Sequence, residues 1–308
     1  MRISLIKTDK GKVLAARRGD DLVDLNKVQK GLGTDLSVIL AKNGLRGLKK
    51  KIKDAPKSAV VKGSYKYLCP IERPPKIICV GLNYADHAKE SPYEKPTYPV
   101  LFLRVTTSLV PHGGALIAPK ASEQFDYEGE MVAIIGKAGR HISRADALKH
   151  VAGYSVFNDG SVRDYQFKSA QWTSGKNFDG SGGFGPEFVT ADEVPDPQNL
   201  DVKLWVNGEL RQSFNTSDMA HKIPRAIEWV SAMHTLNPGD ILATGTNHGG
   251  LSSLMDGDQV VLECEKCGKL EVSVRDDLKR KWPSITRLQG GDRMKVSAQI
   301  SGKYAPGS

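Results

Sequence analysis

Two glutamates in the run Phe125-Asp126-Tyr127-Glu128-Gly129-Glu130 stand immediately before an apolar stretch, Met131-Val132-Ala133-Ile134-Ile135. In an extended chain residues i and i+2 point to one face, so Glu128 and Glu130 would present paired carboxylates at the mouth of a buried strand. Two such anions repel. Either a cation lies between them or one takes up a proton, and paired hard oxygens suit Mg²⁺, Mn²⁺ or Ca²⁺ rather than the Cys and His sites of zinc. Taken alone, the pattern also fits an exposed Glu128 and a Glu130 paired with an arginine.

A second acidic position has the same context. The β-rich run from Val151 to Phe157 ends at Asn158-Asp159, which makes Asp159 a candidate third carboxylate. Ser161 is suited to cap a helix starting at Arg163, with Asp164 at the fourth position of a capping-box-like pattern. Arg163 and Gln166, three apart, would share a face of that helix. Such a junction could hold a metal and an oxyanionic substrate. Downstream, Ser174-Gly175-Lys176 and the glycine-rich run from Gly180 to Pro186 would let backbone approach a ligand closely. Lys176 offers a cation for a developing oxyanion, although singly it reads as a surface lysine.

The elements that must position these groups are mostly strands: Ile77 to Gly81, Val100 to Val105, Glu130 to Gly136, Val151 to Phe157, Val202 to Val206 and Val260 to Glu265. Asn207-Gly208 between two of the shorter runs is a type I′ hairpin pair. One helix is predicted from Ile223 to His234 on the spacing of Ile227, Val230 and Met233, and Ser143 with Asp146 suggests a short capped helix. No regular helices separate the strands, which argues against a doubly wound parallel sheet and for an α+β fold with a mixed or rolled sheet. Residues 1–70 read as a small N-terminal domain, with strands near Arg2 to Lys7 and Val13 to Arg17 and a helix near Leu36 to Asn43. A Pro-rich junction leads into a catalytic domain over 71–285, and 286–308 form a polar tail.

Composition narrows the function classes. With 308 residues, 39% hydrophobic and 26% charged, the chain is long enough for a real core and is neither disordered nor fibrous. The net charge of +9 is compatible with nucleic acid, an anionic membrane surface or small acidic substrates. Seven of the basic residues fall between Arg46 and Lys62, but no aromatic residue is interleaved to stack bases, so the segment reads as a solvated face and no nucleic-acid partner is expected. No apolar run approaches the roughly 18 residues of a spanning helix and no signal peptide opens the sequence, so a cytoplasmic protein without a membrane partner is expected. Cys264-Glu265-Lys266-Cys267 lacks a second ligand pair for zinc, and the run at Gly182 lacks the Gly-Lys-Ser/Thr ending of a phosphate loop.

Taken in order and spacing, a set of stretches resembles the fumarylacetoacetate hydrolase family. They are Lys76 to Tyr84 with His87 and Glu90, Asp126 to Glu130, Gly153-Tyr154, Asn158 to Asp164 with Gln166, Gly175-Lys176, Val206 to Glu209, and Pro238 to Asp240 with Gly245-Thr246. The likeness spans about Pro74 to Asp277. It implies a β-roll body with a small N-terminal domain, usually a homodimer, and Mg²⁺ or Mn²⁺ held by three carboxylates matching Glu128, Glu130 and Asp159.

The same resemblance assigns His87 and Glu90 as a water-activating pair, which their i, i+3 spacing on a helix would allow. The implied activity is hydrolysis of a carbon-carbon bond in a small anionic diketo acid, with loss of an enolate. Lys176 would stabilise that enolate, Gln166 and Thr246 would bind substrate, and Arg163 would assist. Decarboxylation, isomerisation or hydration of a related keto acid are the alternatives. Arg104 stands where the family commonly has lysine, Gly160 and Val162 stand in the stretch where Asp-x-Ser-Ala-Arg-Asp is usual, with Val162 replacing the Ala, and Asn247-His248 follow Thr246 where Pro is usual. His248 is either a specificity residue or an exposed loop histidine.

Overall fold

The computed structural model describes residues 1–84, 96–286 and 289. Its centre is the strand Gly129–Ile135, every residue of which is buried. The strand pairs antiparallel with Val151–Asn158 on one side and with Ile241–Ala243 on the other. A strand flanked on both edges and covered on both faces reads as a continuous apolar run. Ile241–Ala243 pairs in turn with Ile77–Gly81, this time parallel, and Val100–Arg104 closes that end of the sheet. The mixture of parallel and antiparallel neighbours with few helices is the α+β arrangement expected from the strand spacing.

The two faces of the central strand serve different layers. Met131, Ala133 and Ile135 belong to a core shared with Val202, Leu204, Leu262 and Leu270 of a five-stranded antiparallel-rich sheet. Val132 and Ile134 belong to a second core with Leu36, Ile39, Leu48 and Ile52 of the small N-terminal helices. Truncating Ile134 to alanine would cost about 2–5 kcal/mol by opening a cavity that this packing cannot refill. Residues Arg2–Thr8 pair with Phe188–Thr190, so the N-terminal strands extend the main sheet.

Local sequence explains most of the remaining elements. Asn207 and Gly208 both adopt positive φ, 51° and 82°, as a type I′ turn requires. The helix Leu48–Lys53 buries Leu48 and Ile52, one turn apart, and leaves Lys49, Lys50, Lys51 and Lys53 in solvent, as expected of a solvated basic face. The helix Ile223–Met233 buries Ile223, Ala226, Ile227 and Val230, but Met233, included in the apolar pattern, is exposed. Ser143 and Asp146 do exchange hydrogen bonds, yet they precede a 3-10 turn, Ala147–His150, rather than an α-helix. Cys264 and Cys267 are buried on either side of the turn between Gln259–Cys264 and Gly268–Arg275. Among the described residues, no helix is long and apolar enough to cross a membrane.

Candidate active site

Strand register brings the three carboxylates together. Gly129 lies opposite Asn158 in the ladder, so Glu128 and Asp159 meet just beyond its end, where Asp159 N–H donates to Glu128 O at 2.8 Å. The Asn158 side chain reinforces the junction by accepting the Glu128 N–H at 2.9 Å. Glu128, Glu130 and Asp159 are all buried, and each offers a carboxylate oxygen within 4.8 Å of the others.

Cations partly neutralise this cluster. Lys176 Nζ lies 2.6 Å from both Glu128 Oε2 and Asp159 Oδ2, and Arg163 Nη1 lies 2.6 Å from Glu128 Oε1. Arg163 Nε also donates to Asp126 at 2.8 Å and its Nη1 to Gln166 Oε1 at 3.0 Å, while Arg104 Nη1 pairs with Asp159 Oδ1. Charges therefore alternate from Asp126 through Arg163, Glu128, Lys176 and Asp159 to Arg104. Glu130 stands outside the alternation. Among the described residues it pairs with no cation, and its hydrogen bond is from the Gly245 N–H to Oε2 at 2.8 Å.

The electrostatic consequences differ for each group. Burial would raise the Glu128 carboxyl, but Arg163 and Lys176 outweigh it and hold the group well below the usual carboxylate range. Burial followed by the neighbouring Asp159 and Glu128 charges pushes Glu130 well above that range. For Lys176, burial favours the neutral amine, yet Asp159 and Glu128 reverse this and raise its pKa, so it remains an ammonium. A buried carboxyl without a cationic partner, beside two carboxylates whose oxygens keep further lone pairs, fits a hard divalent cation.

Glycines permit the close approaches behind this geometry. A Cβ on Gly175 would lie 2.5 Å from the Gln166 backbone, so only glycine lets the helix Thr173–Lys176 press against Arg163–Gln166 and deliver Lys176 inward. Lys176 Nζ also sits 5.0 Å from the Phe102 ring centroid, and Phe102 packs edge-on against Trp172. Gly245, at φ +89°, turns the chain so that its N–H faces Glu130. Thr246 beyond it is buried, and His248 Nε2 comes to 3.9 Å from Glu128 Oε1 with its side chain 37% exposed. His248 is thus a half-buried neighbour of the carboxylates rather than a remote loop residue.

The structure therefore gathers Glu128, Glu130, Asp159, Lys176, Arg163 and Gln166 around one point, with Thr246 on the adjoining loop. His87 and Glu90 lie outside the described residues. Asn83, shortly before them, is fixed by donating to Thr244 O at 2.7 Å and to His221 O at 3.1 Å.

Two local expectations need correction. Ser161 does not cap the Arg163 helix; its hydroxyl donates to Asp159 O, it pairs with Asp126 in a two-residue ladder, and Val162 occupies the cap position. The glycine-rich run is no ligand cradle, because Gly182–Phe184 forms a strand in which Gly182 makes room for Arg104 and Gly183 for Leu270. Sequence reasoning missed the role of Gln212, which bonds Gly129 N and Thr246 Oγ1. No spacing signal marks it, since its partners lie in two distant segments.

Comparison with known proteins finds matches over most of the chain. The family model described as "Fumarylacetoacetate (FAA) hydrolase C-terminal" matches residues 76–275. The chain is 40% identical over 263 residues to a Rattus norvegicus protein named oxaloacetate tautomerase Fahd2a, mitochondrial, covering 81% of this chain and 82% of that one. Among solved structures, fumarylacetoacetate hydrolase from psychrophilic Exiguobacterium antarcticum superposes with a TM-score of 0.78 at 32% identity, covering 90% and 99% of the two chains. Maleylpyruvate hydrolase from Sphingobium sp. SYK-6, in complex with manganese (II) ion and pyruvate, gives a TM-score of 0.74 at 30% identity with the same coverage.

Proposed function

The chain belongs to the fumarylacetoacetate hydrolase family, and from that premise we propose that it is a divalent-metal-dependent enzyme forming an enolate from a small 2-keto diacid. Keto-enol tautomerisation of an oxaloacetate-like substrate is the first reading, supported by the 40% identity to a protein named for that activity. The observation that carries the enolate chemistry is the buried Glu128, Glu130 and Asp159 cluster with the Lys176 ammonium against it.

Glu128, Glu130 and Asp159 would hold Mg²⁺ or Mn²⁺, with Ca²⁺ a further candidate. A cation bound there would supply Lewis acidity toward a carbonyl oxygen. The protein's own groups do the rest. Lys176, kept protonated by its two carboxylates, faces negative charge as it develops on the keto oxygen and costs no reorganisation to do so. Gln166 and Thr246 supply polar contacts to the substrate, and Arg163 holds Glu128 and Gln166 in place. His87, with Glu90 orienting it, is assigned as the group that moves the proton at the carbon next to the carbonyl.

Carbon-carbon hydrolysis of a diketo acid is the second reading, favoured by the likeness to maleylpyruvate hydrolase across 90% of the chain. It uses the same charges, with His87 and Glu90 activating water instead. A homodimer is also proposed, supported by exposed Leu103 on the strand that ends the main sheet and exposed Val105 just beyond it.

Purified protein incubated with Mg²⁺ separates the readings. Faster equilibration of oxaloacetate enol without cleavage supports the tautomerase, and pyruvate release from acylpyruvates supports the hydrolase. If oxaloacetate, acylpyruvates and unsaturated 2-keto diacids all remain unchanged with metal present, the proposal fails.

A further inference from the structure

The strand Glu209–Asn215 carries one buried amide that the roles above leave unused. Gln212 is 1% exposed. Its Oε1 accepts the Gly129 N–H at 2.9 Å, and its Nε2 donates to the Asn247 carbonyl at 2.7 Å. Neither end can be exchanged, because a backbone N–H can only donate and a carbonyl can only accept. The second Nε2 proton falls between Thr246 Oγ1 at 2.9 Å and Asn247 Oδ1 at 3.1 Å.

This fixes the polarity of Thr246. A hydroxyl has one proton to give and lone pairs to receive. With Gln212 donating to Oγ1, the Thr246 proton is left to donate elsewhere. Thr246 follows Gly245, whose N–H reaches Glu130, and precedes by two residues His248, which neighbours Glu128. A hydroxyl committed to donation at the rim of a carboxylate cluster suits an anionic ligand oxygen. Gly129, held by the other end of the same amide, is the residue between the two glutamates.

Resting on the function proposed above, we propose that Gln212 is a positioning residue: it locks the Thr246 hydroxyl as a donor to an anionic oxygen of the substrate and ties it to the Glu128-Gly129-Glu130 backbone. Glutamate in its place would still accept the Gly129 N–H, so the carboxylate cluster stays in place. It carries at most one proton, which the Asn247 carbonyl takes, and the Thr246 hydroxyl must then turn to donate to the new acceptor.

The test uses oxalate as the probe, titrated by calorimetry into the full chain with Mg²⁺ present. Gln212→Glu and Thr246→Val should each weaken oxalate binding about tenfold or more, as loss of a hydrogen bond to a charged group does. The double variant should bind no more weakly than the worse single variant, Thr246→Ser should retain wild-type affinity, and Mg²⁺ affinity should hold in all. Additive losses, or unchanged oxalate affinity in Gln212→Glu, would overturn the proposal. Should Gln212→Glu fail to fold by near-UV circular dichroism, wild-type oxalate affinity in Thr246→Val would still overturn it. A wild-type protein that binds no Mg²⁺ sinks the proposed function itself, a result read on the metal isotherm alone.

Discussion

The ammonium of Lys176 lies 2.6 Å from Glu128 Oε2, with both side chains sealed from water. Deleting one partner of a buried ion pair leaves the other charge uncompensated, at about 3–5 kcal/mol. Lys176→Met should therefore unfold at lower urea than wild type in EDTA. A bound dication would replace the missing charge, so Mg²⁺ should raise the variant's midpoint by more than it raises that of wild type. Equal Mg²⁺ effects on the two proteins would count against a metal among these carboxylates. Turnover should fall at least about 100-fold, the scale of losing one stabilising donor to an oxyanion.

Glu128 and Glu130 should respond differently to the same change. Burial and the charges of Asp159 and Glu128 push Glu130 up, which favours its neutral form, so Glu130→Gln should alter stability in EDTA far less than Glu128→Gln. Glu128 is ionised against Arg163 and Lys176, and Glu128→Gln should lose about 3–5 kcal/mol. Both variants should lose Mg²⁺ binding by calorimetry. Retained Mg²⁺ affinity in both would show that the cation sits elsewhere.

Gly81 keeps the floor beneath Lys176 in place. A Cβ there would lie 2.1 Å from the Trp172 ring, which packs on Phe102 under the ammonium. Gly81→Ala should cost about 1–3 kcal/mol by overpacking. It should also shift Trp172 fluorescence, and the shift should vanish in Gly81→Ala/Trp172→Phe.

How far the site could be read from sequence depended on whether local pattern or long-range register set each contact. Glu128 and Glu130 were legible because two-residue alternation ahead of an apolar run is local. The end of a β-rich run marks Asp159 as a candidate, but its convergence with the glutamates follows from the Gly129 and Asn158 pairing, which no spacing states and only the family resemblance implies. Ser161 and the glycine run mislead because neither is a local signal. Ser161 is drawn into a ladder with Asp126, and the glycines are there to admit Arg104 and Leu270. The strands and the Asn207-Gly208 turn were legible because hydrophobic run length and turn chemistry are written in adjacent residues.

The N-terminal segment meets the body through charges at Met1 and Lys49 that acid should loosen. Asp192 accepts from Lys49 Nζ at 2.8 Å, and with Thr190 and the Met1 amino group this lowers its carboxyl from 3.8 to about 2. A depressed folded pKa means the contribution is complete above about pH 4 and disappears as pH falls through about 2. The side chain is 56% exposed, so the effect is small. Melting curves of wild type and Asp192→Asn should differ most near neutrality and converge toward pH 2. A constant difference across that range would show that these ion pairs do not stabilise the docking of the N-terminal segment.

Arg104 offers a test of whether Asp159 must be aimed as well as present. Its guanidinium is wholly buried and bonds Asp159 Oδ1, Gly160 O at 3.0 Å, Ser181 Oγ at 2.7 Å and Ser108 Oγ at 3.3 Å. A lysine ammonium has one nitrogen and cannot reach acceptors spread around a planar fork. Arg104→Lys should therefore leave buried acceptors unpaired, at about 1–3 kcal/mol of stability, and free Asp159 to rotate. Mg²⁺ affinity should fall about tenfold, in the range seen when a ligand's supporting hydrogen bond is removed. Gly182→Ala reaches the same fork from the other side, since its Cβ would lie 2.7 Å from Arg104 Nη2. If Asp159 is held by this guanidinium, the two substitutions should weaken Mg²⁺ in parallel, and combining them should add little. Stability lost in both variants with Mg²⁺ affinity intact would make Arg104 a packing residue alone.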